Sequence, residues 1–294
     1  LQSDYGLQLA FSAGYLLELE EQSSPLFQEN LLAFAPSFAG EASAADISQL
    51  RGENLANSVR IGKIAETLAL PALAPLKHNR SEVLTIAGLL PKSQTFLDEQ
   101  ATRGAFLEAI DKTPRILHLS SHGMANSVAP TLSFIAFSQA GKSLEEEELL
   151  YFNDLSTLPL QSELVVLSAC ETSLGALAPG ESVMSLGSAF AAAGARSTLT
   201  SLWKVDDAAT ERLMVEFYAK LAAGEERTNA LRNAQRQQRE TGEFAHPYYW
   251  SAMTLNGRAG PIALAEGGGT FWPWYLLGGL GCFLILWWWS RSLK

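Results

Sequence analysis

Cysteine is nearly absent from this chain: two occur in 294 residues, Cys170 and Cys282. Cys282 falls in an apolar tail that reads as a lipid-embedded segment. The two are therefore not expected to pair, and cysteine usage fixes no redox compartment. Basic residues are also scarce. Lys and Arg total 21 against 31 Asp and Glu, a net charge of −10, and without a basic footprint nucleic acid is excluded as an expected partner. Metal-ligand spacing is missing too. Of the four histidines, His118 and His122 stand close together with no carboxylate or cysteine in ligand register, and His78 and His246 have no partner pattern, so no metal is expected. Gly141-Lys142-Ser143 is like the end of a phosphate loop, but the glycine needed five residues earlier is Ala136, and no cofactor is expected. No methionine or signal peptide opens the chain, so an upstream portion is expected.

What is abundant is apolar sequence, 47% of the chain, enough for one large α/β domain with an appendage. The organising stretch is Glu163-Leu-Val-Val-Leu-Ser-Ala-Cys170, a buried-strand pattern that runs into polar, Gly-containing sequence and delivers a thiol to the strand end. Arg115-Ile-Leu-His-Leu-Ser-Ser-His122-Gly123 ends a second strand in the same way with an imidazole, 48 residues upstream of the cysteine. Open α/β sheets do chemistry at the carboxyl ends of their strands. Two neighbouring parallel strands would bring thiol and imidazole within reach across about 5 Å.

The remaining pattern alternates. Leu31–Ala35 before Pro36 reads as a strand, and 37–62 as a long connection. Helices are expected from Ser81 to Leu90 and from Ala101 to Ile110, with a short strand at 94–97 between them and an extended piece at 132–137. The Glu145–Glu148 cluster reads as a solvated loop or helix start. Val183, Leu186, Phe190 and Ala193, at i, i+3, i+7 and i+10, mark a helix stopped by Gly194, and Ser197–Trp203 is another strand. Asp206 is suited to cap the helix whose face is Leu213, Met214, Phe217, Tyr218 and Leu221. An Arg- and Gln-rich helix over 226–240 is expected on the surface, and His246 to Leu255 is expected as an extended closing strand. The whole predicts a doubly wound, mostly parallel α/β sheet over residues 1–257. Residues 258–270 read as a Gly-rich linker. Residues 271–289 are uncharged, 19 positions with tryptophans at both ends, and read as a single transmembrane helix followed by a short basic tail, 290–294. Single-pass membrane localisation follows, with the side of the main domain undecided.

The strings His118-Leu-Ser-Ser-His122-Gly123, Leu164-Val-Val-Leu-Ser-Ala-Cys170-Glu-Thr172, Gly194-Ala-Arg-Ser-Thr-Leu-Thr-Ser-Leu-Trp203-Lys-Val-Asp206 and His246-Pro-Tyr-Tyr-Trp250 together resemble the CHAT domain. That is a caspase-like, separase-related cysteine peptidase family often joined to tetratricopeptide (TPR) repeats. Histidine first and cysteine about 50 residues later is the caspase order. The resemblance implies a caspase-like fold, His122 and Cys170 as a catalytic dyad, and Gly123 helping the oxyanion together with the Cys170 backbone. It also implies that an opening strand lies upstream of residue 1, and that a peptide or protein substrate and an upstream repeat region or activating partner belong to the system.

Some alternatives stay open at this level. His118 shares a strand face with His122 and competes for its role, but reads as a buried strand residue. Asp206 and Asp207 either cap a helix or face a substrate pocket that prefers basic side chains. Glu171 either lines the cleft or sits in solvent. The expected function is a membrane-anchored cysteine endopeptidase gated by an upstream region. The alternatives are a non-catalytic CHAT-type interaction or signalling module and an esterase or acyltransferase using the same dyad.

Overall fold

The computed structural model describes residues 9–11, 15, 25–41, 73–126, 130–139, 141, 144–168 and 185–265. Cys170, Glu171 and residues 271–294 lie outside the described residues.

The apolar run stopped by Pro36 forms β1 (Glu29–Pro36), buried from Asn30 onward. Helix α1 (Asn79–Leu89) turns Val83 and Ile86 inward and leads to β2 (Ser93–Asp98). Thr102 caps α2 (Arg103–Ile110) by accepting from the Ala105 N–H. The histidine segment is β3 (Pro114–Leu119). It passes into a small antiparallel sheet of β4 (Gly123–Met124), β5 (Phe134–Ala136) and β6 (Leu149–Tyr151). The short helix α3 (Phe152–Ser156) then leads to β7 (Leu164–Leu167), buried throughout. Ser185 and Ser188 form a reciprocal capping box for α4 (Leu186–Ala192). Gly194 stops that helix with φ at +114°, where a Cβ would stand 2.0 Å from the Leu160 carbonyl oxygen, so glycine is required there. Strand β8 (Ser197–Ser201), α5 (Asp207–Ala222), α6 (Arg227–Glu240), α7 (Pro247–Trp250) and β9 (Met253–Gly257) complete the order.

The main sheet has the order β2-β1-β3-β7-β8-β9, parallel throughout except for the antiparallel edge strand β9. It is covered on both faces, which is why β7 is apolar at every position and β1 at most of them. Leu31, Ala33, Ile116, Val166 and Leu199 pack toward α1, α5 and α6. Leu32, Phe34, Leu117, Leu119, Val165 and Leu167 pack toward α2, α3 and α4. Each fully buried Leu or Phe stabilises the fold by about 1.5–3 kcal/mol, so the strand ends stand on a rigid platform. The chain steps from β1 outward to β2 and then back across β1 to β3. This strand reversal puts the ligand-binding crevice of such a sheet at the carboxyl ends of β1 and β3.

Three expectations change. The 226–240 helix is not merely a surface element: Arg227, Ala230, Leu231, Ala234 and Gln238 are buried. A charge can be buried there because the Arg227 Nη2 donates to Glu163 Oε2 at 2.8 Å, while Arg196 donates to Glu163 Oε1 at 2.7 Å. In the closing segment, Pro247–Trp250 is a helix with Pro at its start and His246 as N-cap, and only Met253–Gly257 is strand. Residues 258–265 pack back on the domain: Ile262 is buried, and the Ala265 backbone exchanges two hydrogen bonds with the Asn30 side chain, 2.7 and 2.8 Å.

The expected single transmembrane helix, and with it the single-pass membrane localisation and the membrane as partner, is corrected. Among the described residues no helix is long and apolar enough to cross a membrane, and residues 271–289 lie outside them. The longest described helix, α5, has 16 residues and carries Asp207, Glu211, Arg212, Glu216 and Lys220. At about 1.5 Å per residue it is shorter than a bilayer core of about 30 Å, and its charges could not lie in lipid. The described residues form a doubly wound, mostly parallel α/β sheet with no membrane helix among them.

Candidate active site

β3 and β7 are adjacent and parallel, with His118 opposite Val166 and Leu119 opposite Leu167, an offset of 48 residues. The pairing continues past the strands, since the Ser168 N–H donates to the Leu119 carbonyl at 3.0 Å. On the other side the Ser120 N–H donates to the Phe34 carbonyl of β1 at 2.9 Å. His122 therefore emerges at the carboxyl edge, flanked by the ends of β1 and β7.

The backbone around His122 is held from β5. The Ala136 N–H donates to the His122 carbonyl at 2.9 Å, and the Ser121 hydroxyl donates to the Ala136 carbonyl. With His122 and Ala136 hydrogen-bonded, the next antiparallel pair, Gly123 opposite Ile135, is a non-hydrogen-bonded one. The Gly123 N–H is thus directed away from β5, as an oxyanion donor would need to be.

Among the described residues the His122 ring has one hydrogen-bond partner. Its Nε2 lies 2.7 Å from the Ala74 carbonyl oxygen, so Nε2 carries the proton and donates, because a carbonyl can only accept. The neutral ring then has its lone pair on Nδ1, the atom available as a base. Phe38, two residues beyond β1 and buried, meets the imidazole edge-on with ring centroids 4.7 Å apart. Burial pushes the His122 pKa below the ordinary 6.5. The Ala74 carbonyl and the Asp207 charge act the other way, and Lys204 adds to the lowering. An imidazole that stays neutral at neutral pH is suited to take a proton.

His118 is in a different position. Its Nε2 is 2.8 Å from Glu82 Oε1 and its Nδ1 is 3.0 Å from the Tyr218 hydroxyl, all within the core. Burial first, and the Glu82 charge second, push the Tyr218 pKa well above 10, which keeps its O–H available to donate to Nδ1. Both ring nitrogens are therefore occupied.

Asp206 accepts from the Ala209 N–H at 3.0 Å and caps α5. Asp207 Oδ2 accepts from the Lys77 and His78 N–H groups, both at 2.9 Å. Both carboxylates thus hold backbone. Cys170 and Glu171 lie outside the described residues, and among the described residues no cluster of His, Cys, Asp or Glu could hold a metal.

Several neighbours of His122 have no local signature in the sequence. Phe38 and Ala74 reach it from segments 84 and 48 residues away. Asn79, which donates to the carbonyls of Pro36 at 2.8 Å and Ser120 at 3.4 Å, ties together the ends of β1 and β3. An Asn just before a helical pattern is a capping signal, but nothing in the sequence tells which strand ends it will bridge.

The family model described as the CHAT domain matches residues 1–258. Tetratricopeptide repeat protein 28 of Mus musculus is 35% identical over 111 residues, 38% of this chain and 4% of that protein. Its Homo sapiens counterpart is 32% identical over 143 residues, 47% of this chain and 6% of that protein. The alignments thus span only a small part of these relatives. Among solved structures, the Arg-specific cysteine proteinase gingipain R is similar over 86% of this chain and 52% of its own, with a TM-score of 0.49 and 10% identity. The Saccharomyces cerevisiae separase in its securin complex is similar over 86% of this chain and 14% of its own, with a TM-score of 0.48 and 12% identity.

Proposed function

The chain belongs to the CHAT domain family, and from that premise we propose that it is a cysteine endopeptidase in which His122 activates the Cys170 thiol. The observation that carries this reading is the register of β3 and β7. Their offset of 48 residues equals the interval between His122 and Cys170, so the two residues follow their strands at equal distance. The hydrogen bond that commits Nε2–H to the Ala74 carbonyl supports the same reading, since among the described residues Nδ1 has no hydrogen-bond partner and is left to act.

In this mechanism Nδ1 takes the thiol proton and the thiolate attacks the carbonyl carbon of the scissile peptide bond. The carbonyl oxygen becomes an oxyanion, which the N–H groups of Gly123 and Cys170 stabilise. The intermediate collapses, the C–N bond breaks, and the imidazolium returns its proton to the leaving amine. Water, deprotonated by the same imidazole, then hydrolyses the thioester and regenerates the thiol. Control by a repeat region or a protein partner belongs to this reading, supported by the name of the matched relatives.

The test is labelling by a thiol-directed peptide probe library alongside cleavage of the matching peptides. Labelling and cleavage lost in Cys170→Ala and kept in Cys282→Ala is the expected result. A folded chain that neither labels at Cys170 nor cleaves any peptide points to an interaction module instead, and turnover of esters without peptides to an acyl-transfer enzyme.

A further inference from the structure

The segment that supplies the Ala74 carbonyl has little secondary structure of its own, so something else must hold that oxygen at 2.7 Å from His122. The ties run to helix α5. Asp207, at its first turn, places Oδ2 between the N–H groups of Lys77 and His78, 2.9 Å from each. One turn further on, Glu211 Oε2 lies 2.7 Å from the His78 Nδ1. The other end of the segment is attached where the Gly40 N–H donates to the Leu73 carbonyl at 2.7 Å. Residues 74–76 therefore form a short bridge between one anchor after β1 and another on α5.

We infer that Asp207 is a positioning residue: by clamping residues 77 and 78 it fixes the Ala74 carbonyl, and through it the tautomer and orientation of His122. The inference rests on His122 being the active base, but its immediate consequence is a property of the ring that can be read without turnover. A carboxylate oxygen accepting two backbone N–H groups is a strong and directional anchor. Groups that orient a metal-ligating histidine through its other ring nitrogen change affinity or activity by about 10- to 100-fold when lost, and here the same orienting role serves a base. The Asp207 charge also raises the His122 pKa, opposed by that of Lys204. Substitution to Asn removes the charge and keeps an acceptor, whereas substitution to Ala removes both.

The experiment is NMR of the chain carrying 15N-labelled histidine, with the rate of Cys170 labelling by a thiol-directed peptide probe measured in parallel. The parent and Asp207→Asn are expected to hold His122 as the Nε2–H tautomer. Asp207→Ala is expected to give averaged tautomers and labelling slower by about tenfold, with far-UV circular dichroism unchanged. Unchanged tautomer and rate in folded Asp207→Ala would overturn the inference. If that variant does not fold, Glu211→Ala decides. It frees the His78 ring from a partly exposed helix position and should shift the tautomer in the same direction by less, and no shift overturns the inference. The two readings fail separately. If His122→Ala leaves Cys170 labelling unchanged while Asp207→Ala still scrambles the tautomer, the positioning role stands and the peptidase reading falls.

Discussion

His118 and His122 leave the same segment four residues apart and meet opposite surroundings. His118 is sealed in the core with both nitrogens engaged, one by Glu82 and one by Tyr218. His122 stands at the strand edge with Nε2 bound to a backbone carbonyl and its ring steadied by Phe38. A ring with every valence used holds a structure together, whereas a ring held on one side has a nitrogen left for chemistry. The alternation along a strand puts both on one face, so residue type and periodicity alone could not separate them. The partners do.

The contrast is broken most sharply by removing each ring. His122→Ala should lower peptide cleavage by at least about 10³-fold, as loss of a catalytic base does in other covalent hydrolases, with little change in the urea midpoint. His118→Ala should do the reverse. It leaves the Glu82 carboxylate, 1% exposed, without its partner, and should cost about 3 kcal/mol of stability in urea unfolding, while cleavage per folded molecule stays near that of the parent. Equal effects of both substitutions on both readouts would erase the distinction.

Removing the steadying ring should have an intermediate effect. Phe38→Ala opens space beside the imidazole and should lower cleavage by about 10- to 100-fold through misplacement of the ring, mainly in kcat, in steady-state kinetics on the best library peptide. The smallest expected effect concerns pH. Burial lowers the His122 pKa below 6.5, so in the window below 6.5 the unfolded chain takes up a proton that the folded chain does not. Stability from this residue is full above that value and falls as pH drops through it. The acid limb of kcat/KM should likewise lie below 6.5. His122→Gln should flatten the slope of the urea midpoint between pH 7 and 5 relative to the parent, and an unaltered slope would count against the half-buried, neutral ring.

Much of the platform is legible in local pattern. The apolar runs before Cys170 and around His118 mark strands buried on both faces, Gly194 marks a helix stop, and the Leu213 to Leu221 stripe marks the face α5 turns to the sheet. Where local pattern misleads, a long-range partner is responsible. Arg227 sits on an apparently solvated helix and is buried because Glu163, 64 residues away, accepts from it. The aromatic run after His246 looks extended, yet Pro247 at a helix start turns it into α7. The setting of His122 is illegible for the same reason: Phe38, Ala74 and Asp207 come from three separate elements, and two of the three relevant contacts involve backbone atoms that any residue type would supply.

The equal spacing of His122 and Cys170 beyond adjacent strands is tested most directly by cross-linking. In a Cys282→Ala background, His122→Cys leaves two thiols, and neighbouring parallel strands separated by about 4.8 Å hold Cα atoms within disulfide range. The account predicts rapid intramolecular disulfide formation under mild oxidation, seen as loss of both free thiols without dimer. A folded chain that keeps both thiols reduced, while Cys170 remains open to alkylation, would contradict it.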